Sequence, residues 1–179
     1  MTDHKSLKMH QEARRITEKE HIETILSEAC VATVCFHDEP YPYSVAMNYG
    51  YEWKDRLIFY FHMGIEGHRI ELIKKNPLVS LSVFQWLDRH GYHSYKNETH
   101  DYRSVHAYGK AEIVGPDQEE EFLHGLSLLQ TNNHRPAVKK LTEVMKNELF
   151  ILKITVDFVT AKAQYPLDGP EEAKIPENF

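Results

Sequence analysis

Apolar residues first recur at a helical interval in Ile22, Ile25, Leu26 and Ala29, spaced i, i+3, i+4 and i+7, so one side of this segment is apolar. Thr17-Glu18-Lys19-Glu20 ahead of it has the form of a capping box: Thr17 accepts from the amide three residues on and Glu20 reaches back. A helix is predicted to begin there. From Cys30 the period falls to two. Residues 31–36 predict a strand, His37-Asp38-Glu39-Pro40 a turn, and Tyr43, Val45 and Met47 alternate with Ser44, Ala46 and Asn48 in a second strand, giving a hairpin. Asn48-Tyr49-Gly50-Tyr51 closes that strand, and Trp53-Lys54-Asp55 is a polar connection into an aromatic-rich strand over residues 57–62.

After Met63-Gly64-Ile65-Glu66-Gly67 a short helix is predicted, with Ile70 and Ile73 inward, Lys74 and Lys75 at its negative end, and Asn76-Pro77 as the stop. Strands follow over 78–85 and 102–114, with a polar loop over 86–101 between them and Gly109 as a bend or bulge in the second. Helices are predicted over 117–130 and 136–146, separated by Thr131-Asn132-Asn133-His134-Arg135, and a last strand over 150–156. Most of these six strands follow one another without a crossover helix. The pattern therefore predicts a mainly β, antiparallel barrel edged by helices rather than a parallel βαβ sheet. There is no internal repeat and no long linker, so residues 1–179 read as a single domain. The acidic, proline-containing stretch 165–179 is expected to be mobile or docked on a partner.

Composition narrows the function classes. Apolar residues make up 41% and charged residues 27%, which suits a packed core and excludes disorder. Lys and Arg number 21 against 27 Asp and Glu, a net −6, so no global positive field favours nucleic acid and any anion must be held locally. Apolar runs are too short for a membrane helix, and the first twenty residues lack the apolar centre of a secretory signal, so a cytoplasmic location is expected. Cys30 and Cys35 flank a strand at an odd separation and are not expected to pair. Among the 12 histidines, His90, His93, His100 and His106 cluster, but without an acidic partner at a recognised metal-ligand spacing; they read as solvated or stacking residues.

Three places can carry chemistry. Gly67-His68-Arg69 opens a helix, where free amides, the helix dipole and two cations converge as a phosphate cradle; equally, both cations can simply face water. The strand ends Met47-Asn48-Tyr49-Gly50 and Tyr60-Phe61-His62 offer backbone donors, aromatic faces and an amide to a flat heteroaromatic ring, although half-buried aromatics are also ordinary barrel filling. In Tyr102-Arg103-Ser104-Val105, Arg103 is either a second anion contact or a solvent-facing arginine. Ser44, Ser80, Ser82 and Ser104 lie in no nucleophile elbow, and no phosphate loop or carboxylate pair supports a kinase or hydrolase.

Taken in order, Pro42-Tyr43 through Asn48-Tyr49-Gly50-Tyr51, Ile58-Phe59-Tyr60-Phe61-His62, Glu66-Gly67-His68-Arg69, Asn76-Pro77, Tyr102-Arg103-Ser104-Val105 and Tyr108-Gly109-Lys110-Ala111-Glu112 resemble one family. It is the nitroimidazole-resistance branch of the pyridoxamine-phosphate-oxidase-like flavoproteins, and the resemblance runs from Ile16 to Lys162. It implies a six-stranded split β-barrel forming a homodimer, with noncovalent FMN in clefts between the subunits. It further implies that Met47, Asn48 and Tyr49 line the isoalloxazine ring, that Phe61 and His62 approach it, and that Gly67, His68 and Arg69 receive the phosphate. Arg103 and Ser104 would add contacts at ring or phosphate, and His62 would donate a proton or orient the substrate. The implied activity passes electrons from NAD(P)H through FMN to a small electrophile such as a nitroimidazole or a quinone. The alternative is a flavin- or haem-binding module without turnover.

Two departures from the family pattern matter. His68 stands where relatives commonly carry a permanent cation, so FMN affinity is expected to fall between about pH 6 and 8. Residues 168–179 contain no arginine, unlike the C-terminal segment that true pyridoxamine-phosphate oxidases use on their substrate, which disfavours that oxidation.

Overall fold

The computed structural model describes residues 12–87 and 101–163. His90, His93 and His100 and the acidic stretch 165–179 lie outside the described residues. A short turn of 3-10 helix, Glu12–Arg14, leads into β1 (Arg15–Ile16) and α1 (Lys19–Glu28). Then come β2 (Val31–Phe36), β3 (Tyr43–Asn48), β4 (Gly50–Trp53), β5 (Leu57–Gly64), α2 (His68–Lys75) and β6 (Leu78–Leu87). The chain continues through β7 (Asp101–Val114), α3 (Glu119–Asn132), α4 (Glu143–Glu148) and β8 (Leu149–Ala163). Among the described residues, no helix is long and apolar enough to cross a membrane.

All ladders are antiparallel, in the order β3-β2-β6-β7-β8-β5-β4, with β1 joined to β8. The sheet curls until the edge strand β3 comes near β5, and just beyond the end of β3 the Tyr49 ring lies 6.3 Å from that of Phe61. The result is a split β-barrel with flanking helices. Alternation does the sorting. On β5, Phe59, Phe61 and Met63 enter the barrel, while Tyr60 faces the other way into a second cluster under α3 with Val114, Phe122, Leu126 and Ile151. Ile22, Ile25 and Leu26 of α1 close one part of the barrel core, as their spacing predicts, and Ile70, Leu72 and Ile73 of α2 another.

Four expectations are corrected. The helix after Thr17 begins at Lys19, because the Thr17 hydroxyl donates to the Glu18 carboxylate (2.9 Å) instead of capping. The helix expected over 136–146 is only Glu143–Glu148: Ser127 Oγ takes the Val138 carbonyl at 2.6 Å, and the cap is Thr142, whose hydroxyl accepts from the Met145 amide. The last strand continues to Ala163, because a register shift at Tyr108/Gly109 lets β7 resume pairing with it. Finally, there are eight strands among the described residues rather than six: β1 spans two residues, and Gly50–Trp53, read as the close of β3 and a connection, is a strand paired with β5.

Gly50 is required by space. A Cβ there would lie 2.2 Å from the Leu129 amide nitrogen, so α3 crosses directly over the β3–β4 junction.

Candidate functional site

The site is built at the free edge of β3. Among the described residues β3 is the last strand of the sheet and has no ladder partner on that edge. Tyr43, Val45 and Met47 turn half-buried to one face, and Ser44, Ala46 and Asn48 are exposed on the other. Met47 and Asn48 therefore point in opposite directions, and a flat ligand meets both only by lying along the edge itself.

On the Met47 side stands the start of α2. Gly67 is its N-cap with φ 119°, a left-handed conformation that costs glycine little, and a Cβ there would meet nothing within 4 Å. The first backbone bond of the helix runs from the Ile70 amide to the Gly67 carbonyl, so the amides of His68 and Arg69 lie ahead of the helical ladder. Arg69 is half-buried and its Nη1 contacts Met47 Sδ at 2.8 Å; a thioether is a weak acceptor, which leaves most of the guanidinium's donor capacity for an anion. Arg69 thus joins the helix start to the end of β3.

His68 is not simply solvated. Its Nε2 lies 2.7 Å from Asp38 Oδ2 in the β2–β3 turn, and its ring meets Tyr43 edge-on at 5.5 Å. The hydrogen bond to Asp38, helped by the charges of Asp38 and Glu71, raises the imidazole pKa. The reciprocal bond, with the Glu39 amide, holds the Asp38 carboxyl below its usual range.

On the other face, Asn48 Nδ2 donates to the Cys30 carbonyl at 3.1 Å and to Asn133 Oδ1 at 3.0 Å. Asn133 Nδ2 in turn donates to the Tyr49 and Leu129 carbonyls, and Asn132 Nδ2 to the Tyr49 carbonyl. The C-terminal end of α3 therefore pins the β3–β4 junction through three amide side chains. His62 is exposed on β5, on the same side of that strand as Tyr60.

The other expected site residues are placed elsewhere. The Tyr49 and Phe61 side chains lie in the core. Both are fully buried, and the Tyr49 hydroxyl donates to the Leu26 carbonyl at 2.7 Å, so only their main chain remains for a ligand. Arg103 is neither solvent-facing nor aimed at the helix start: it is 2% exposed and its Nη1 donates to Glu28 Oε2 at 3.1 Å. Ser104 is buried on the opposite face of β7, and its hydroxyl has no hydrogen-bond partner among the described residues. Met47, Gly67, His68 and Arg69 come together, Asn48 leaves the same strand by the opposite face, and His62 is exposed on the outer face of β5. Asp38, Asn132 and Asn133 belong to the same surroundings but read in the sequence only as turn and connection residues.

A separate cleft of about 620 Å³ is lined by Glu52, Lys54, Gln118, Glu119, Glu120, Glu121 and His124. Its negative charge disfavours a phosphate. Tyr60 Oη sits between Glu121 (2.9 Å) and Glu52 (3.1 Å). Burial pushes the Glu121 carboxyl upward, but hydrogen bonds from Lys153 and Tyr60 outweigh it and keep the group ionised. This is a structural tie between α3 and the barrel.

The outward face of the sheet is the last feature. Ala46, Thr33, Ser82, His106 and Thr160 stand side by side across five strands, forming a shallow band of small and polar residues. Exposed Phe84 and Trp86 border it, Phe84 stacking on Tyr102 at 6.1 Å. Burial, with the charge of Lys162, lowers the His106 pKa.

The fold defines a small split-barrel protein whose candidate site sits where an edge strand meets a helix start. The family model for pyridoxamine 5'-phosphate oxidase matches residues 18–163, and the chain belongs to that family. No curated protein sequence matches it. Among solved structures, it is similar to a Bacteroides thetaiotaomicron protein assigned to 5-nitroimidazole antibiotic resistance (25% identity, 83% of this chain and 86% of that one, TM-score 0.66). It shares its fold with an FAD- and haem-binding protein from Mycobacterium smegmatis (17% identity, 87% and 77% covered, TM-score 0.66). The flavocytochrome Anf3 from Azotobacter vinelandii shares it too (14% identity, 89% and 73% covered, TM-score 0.63).

Proposed function

We propose that this chain is an FMN-dependent oxidoreductase that passes electrons from NAD(P)H to a nitroimidazole or another small nitro-aromatic compound. The observation that carries the reading is the contact between Arg69 and Met47, which makes the amide-rich helix start and the free edge of β3 one continuous surface. Such a surface suits a ligand with a phosphate at one end and a flat polar ring at the other. The similarity to the nitroimidazole-resistance protein supports the acceptor class.

In this reading the amides of His68 and Arg69 and the Arg69 guanidinium hold the phosphate, while Met47 and the edge of β3 hold the ring. Bound FMN supplies the redox chemistry, taking a hydride from NAD(P)H and yielding electrons to the acceptor. His62, exposed on β5, orients the acceptor or gives it a proton. The band through Thr33, Ser82 and His106, bordered by exposed aromatics, supports a homodimer in which two copies cover each other's outward faces and enclose the cofactor.

The test is spectroscopic. Purified protein, alone or titrated with FMN, is expected to show flavin absorption, to bleach on anaerobic addition of NADH or NADPH, and to recover on adding a nitroimidazole. A haem Soret band without flavin, or bound flavin that neither nicotinamide reduces, overturns the proposal.

A further inference from the structure

The amide network around Asn48 decides what kind of ring edge it can meet. In an isolated carboxamide, oxygen and nitrogen are interchangeable by a flip. Here they are not. The Cys30 carbonyl, 3.1 Å from Asn48, can only accept, so the group facing it is the Asn48 NH₂. The second proton of that NH₂ goes to Asn133 Oδ1, 3.0 Å away. Asn133 is locked in turn, because its own NH₂ faces the Tyr49 and Leu129 carbonyls, which again only accept. Three main-chain carbonyls thus fix the orientation of both side chains.

Both Asn48 donors are consumed inward, and its Oδ1 accepts from no group among the described residues. We infer that Asn48 is a specificity-determining residue that shows the ligand a carbonyl oxygen and no donor, selecting a ring edge that offers an N–H, with Asn133 as the positioning residue that holds it so. The inference rests on the flavin reading above and deepens it. The pyrimidine end of a flavin carries an imide N3–H between two carbonyls, which suits such an oxygen; a porphyrin rim of propionates and hydrocarbon offers no such donor.

The experiment compares FMN with 3-methyl-FMN, in which that proton is replaced by a methyl group and the phosphate is unchanged. The wild-type protein is expected to bind 3-methyl-FMN about tenfold more weakly than FMN, the scale of one hydrogen bond with its partner left unsatisfied. In Asn48→Ala, with folding checked by circular dichroism, the ratio is expected to fall close to one, since both the acceptor and the crowding side chain are gone. Equal wild-type affinities for the two flavins, or a tenfold preference that survives in Asn48→Ala, overturn the assignment while leaving flavin binding intact. Failure of the wild-type protein to bind either flavin overturns the flavin reading and this inference with it.

Discussion

Asp38 Oδ2 stands 2.7 Å from His68 Nε2, so the imidazole at the head of α2 is already bound to a carboxylate carried by the β2–β3 turn. Because this bond raises the His68 pKa, the imidazole stays charged above the ordinary histidine value of about 6.5. The same carboxylate repels an incoming phosphate. If His68 meets the phosphate, FMN affinity therefore falls with rising pH, and the fall lies higher than an unperturbed histidine would put it. Asp38→Asn is expected to move the fall to lower pH and to strengthen binding at pH 6 by roughly twofold to fivefold, the range of an exposed charge pair. Fluorescence titration of FMN at several pH values measures both. An affinity that ignores pH in both proteins removes His68 from the site. For stability the signs differ: the raised His68 pKa contributes below its unfolded value and is lost as pH rises through the folded one. The depressed Asp38 pKa contributes above its unfolded value and is lost as pH falls through the folded one, so the pair stabilises most between about pH 4 and 6.5.

Arg69 and Arg103 should separate binding from folding. Arg69→Ala removes a half-buried guanidinium whose one hydrogen-bond partner among the described residues is a thioether, and is expected to weaken FMN binding at least tenfold with little change in melting temperature. Arg103→Leu instead removes a buried guanidinium from Glu28, which is 43% exposed and keeps its hydrogen bond from Gln85, and is expected to cost about 0.5–1.5 kcal/mol in chemical denaturation. Its flavin affinity, corrected for the folded fraction, should be unchanged. The reverse pattern would relocate the phosphate to β7.

Two glycines fail for different reasons. Gly50→Ala places a methyl 2.3 Å from the Leu128 carbonyl carbon and must lift α3, with an expected loss of about 3 kcal/mol. Gly67→Ala meets no atom, and its cost is the backbone at φ 119° and ψ 168° alone, a region that almost only glycine occupies, about 1–3 kcal/mol. Thermal unfolding ranks them. If Gly67→Ala is the worse of the two, the helix start is more crowded than described.

Thr33→Arg tests the outward band. Thr33 is exposed on β2 between Ala46 and Ser82, so an arginine is accommodated in the isolated chain but not between two packed faces. Sedimentation velocity is expected to give a dimer for wild type and a monomer for the variant, with FMN retention lost alongside. A wild-type monomer that keeps its flavin would confine the site to one chain.

Much of the framework was legible along the chain because it depends on local periodicity. The alternation in Val31–Phe36 sends Ala32, Val34 and Phe36 inward, and the helical spacing of Ile22, Ile25 and Leu26 buries all three. The bend at Gly109 was visible too, since a glycine inside a strand pattern marks a bulge or a close backbone approach, and a Cβ there would lie 2.2 Å from the Thr155 carbonyl oxygen. The helix start at Gly67-His68-Arg69 was likewise readable, because a helix cap is made of consecutive residues.

What the sequence left open depends on partners far apart in it. Whether Arg103 faces water, a ligand or the protein is decided by Glu28, 75 positions away. Whether Tyr49 offers its ring to a ligand is decided by α1, which takes its hydroxyl, and by Phe59 and Phe61, which enclose it. The polarity of Asn48 is set by Asn133, 85 residues on, and the charge of His68 by Asp38. Local pattern determines which way a side chain leaves its own strand or helix. Only the closed barrel determines what it meets there, because hydrogen bonds and burial are made between segments whose separation no periodicity records.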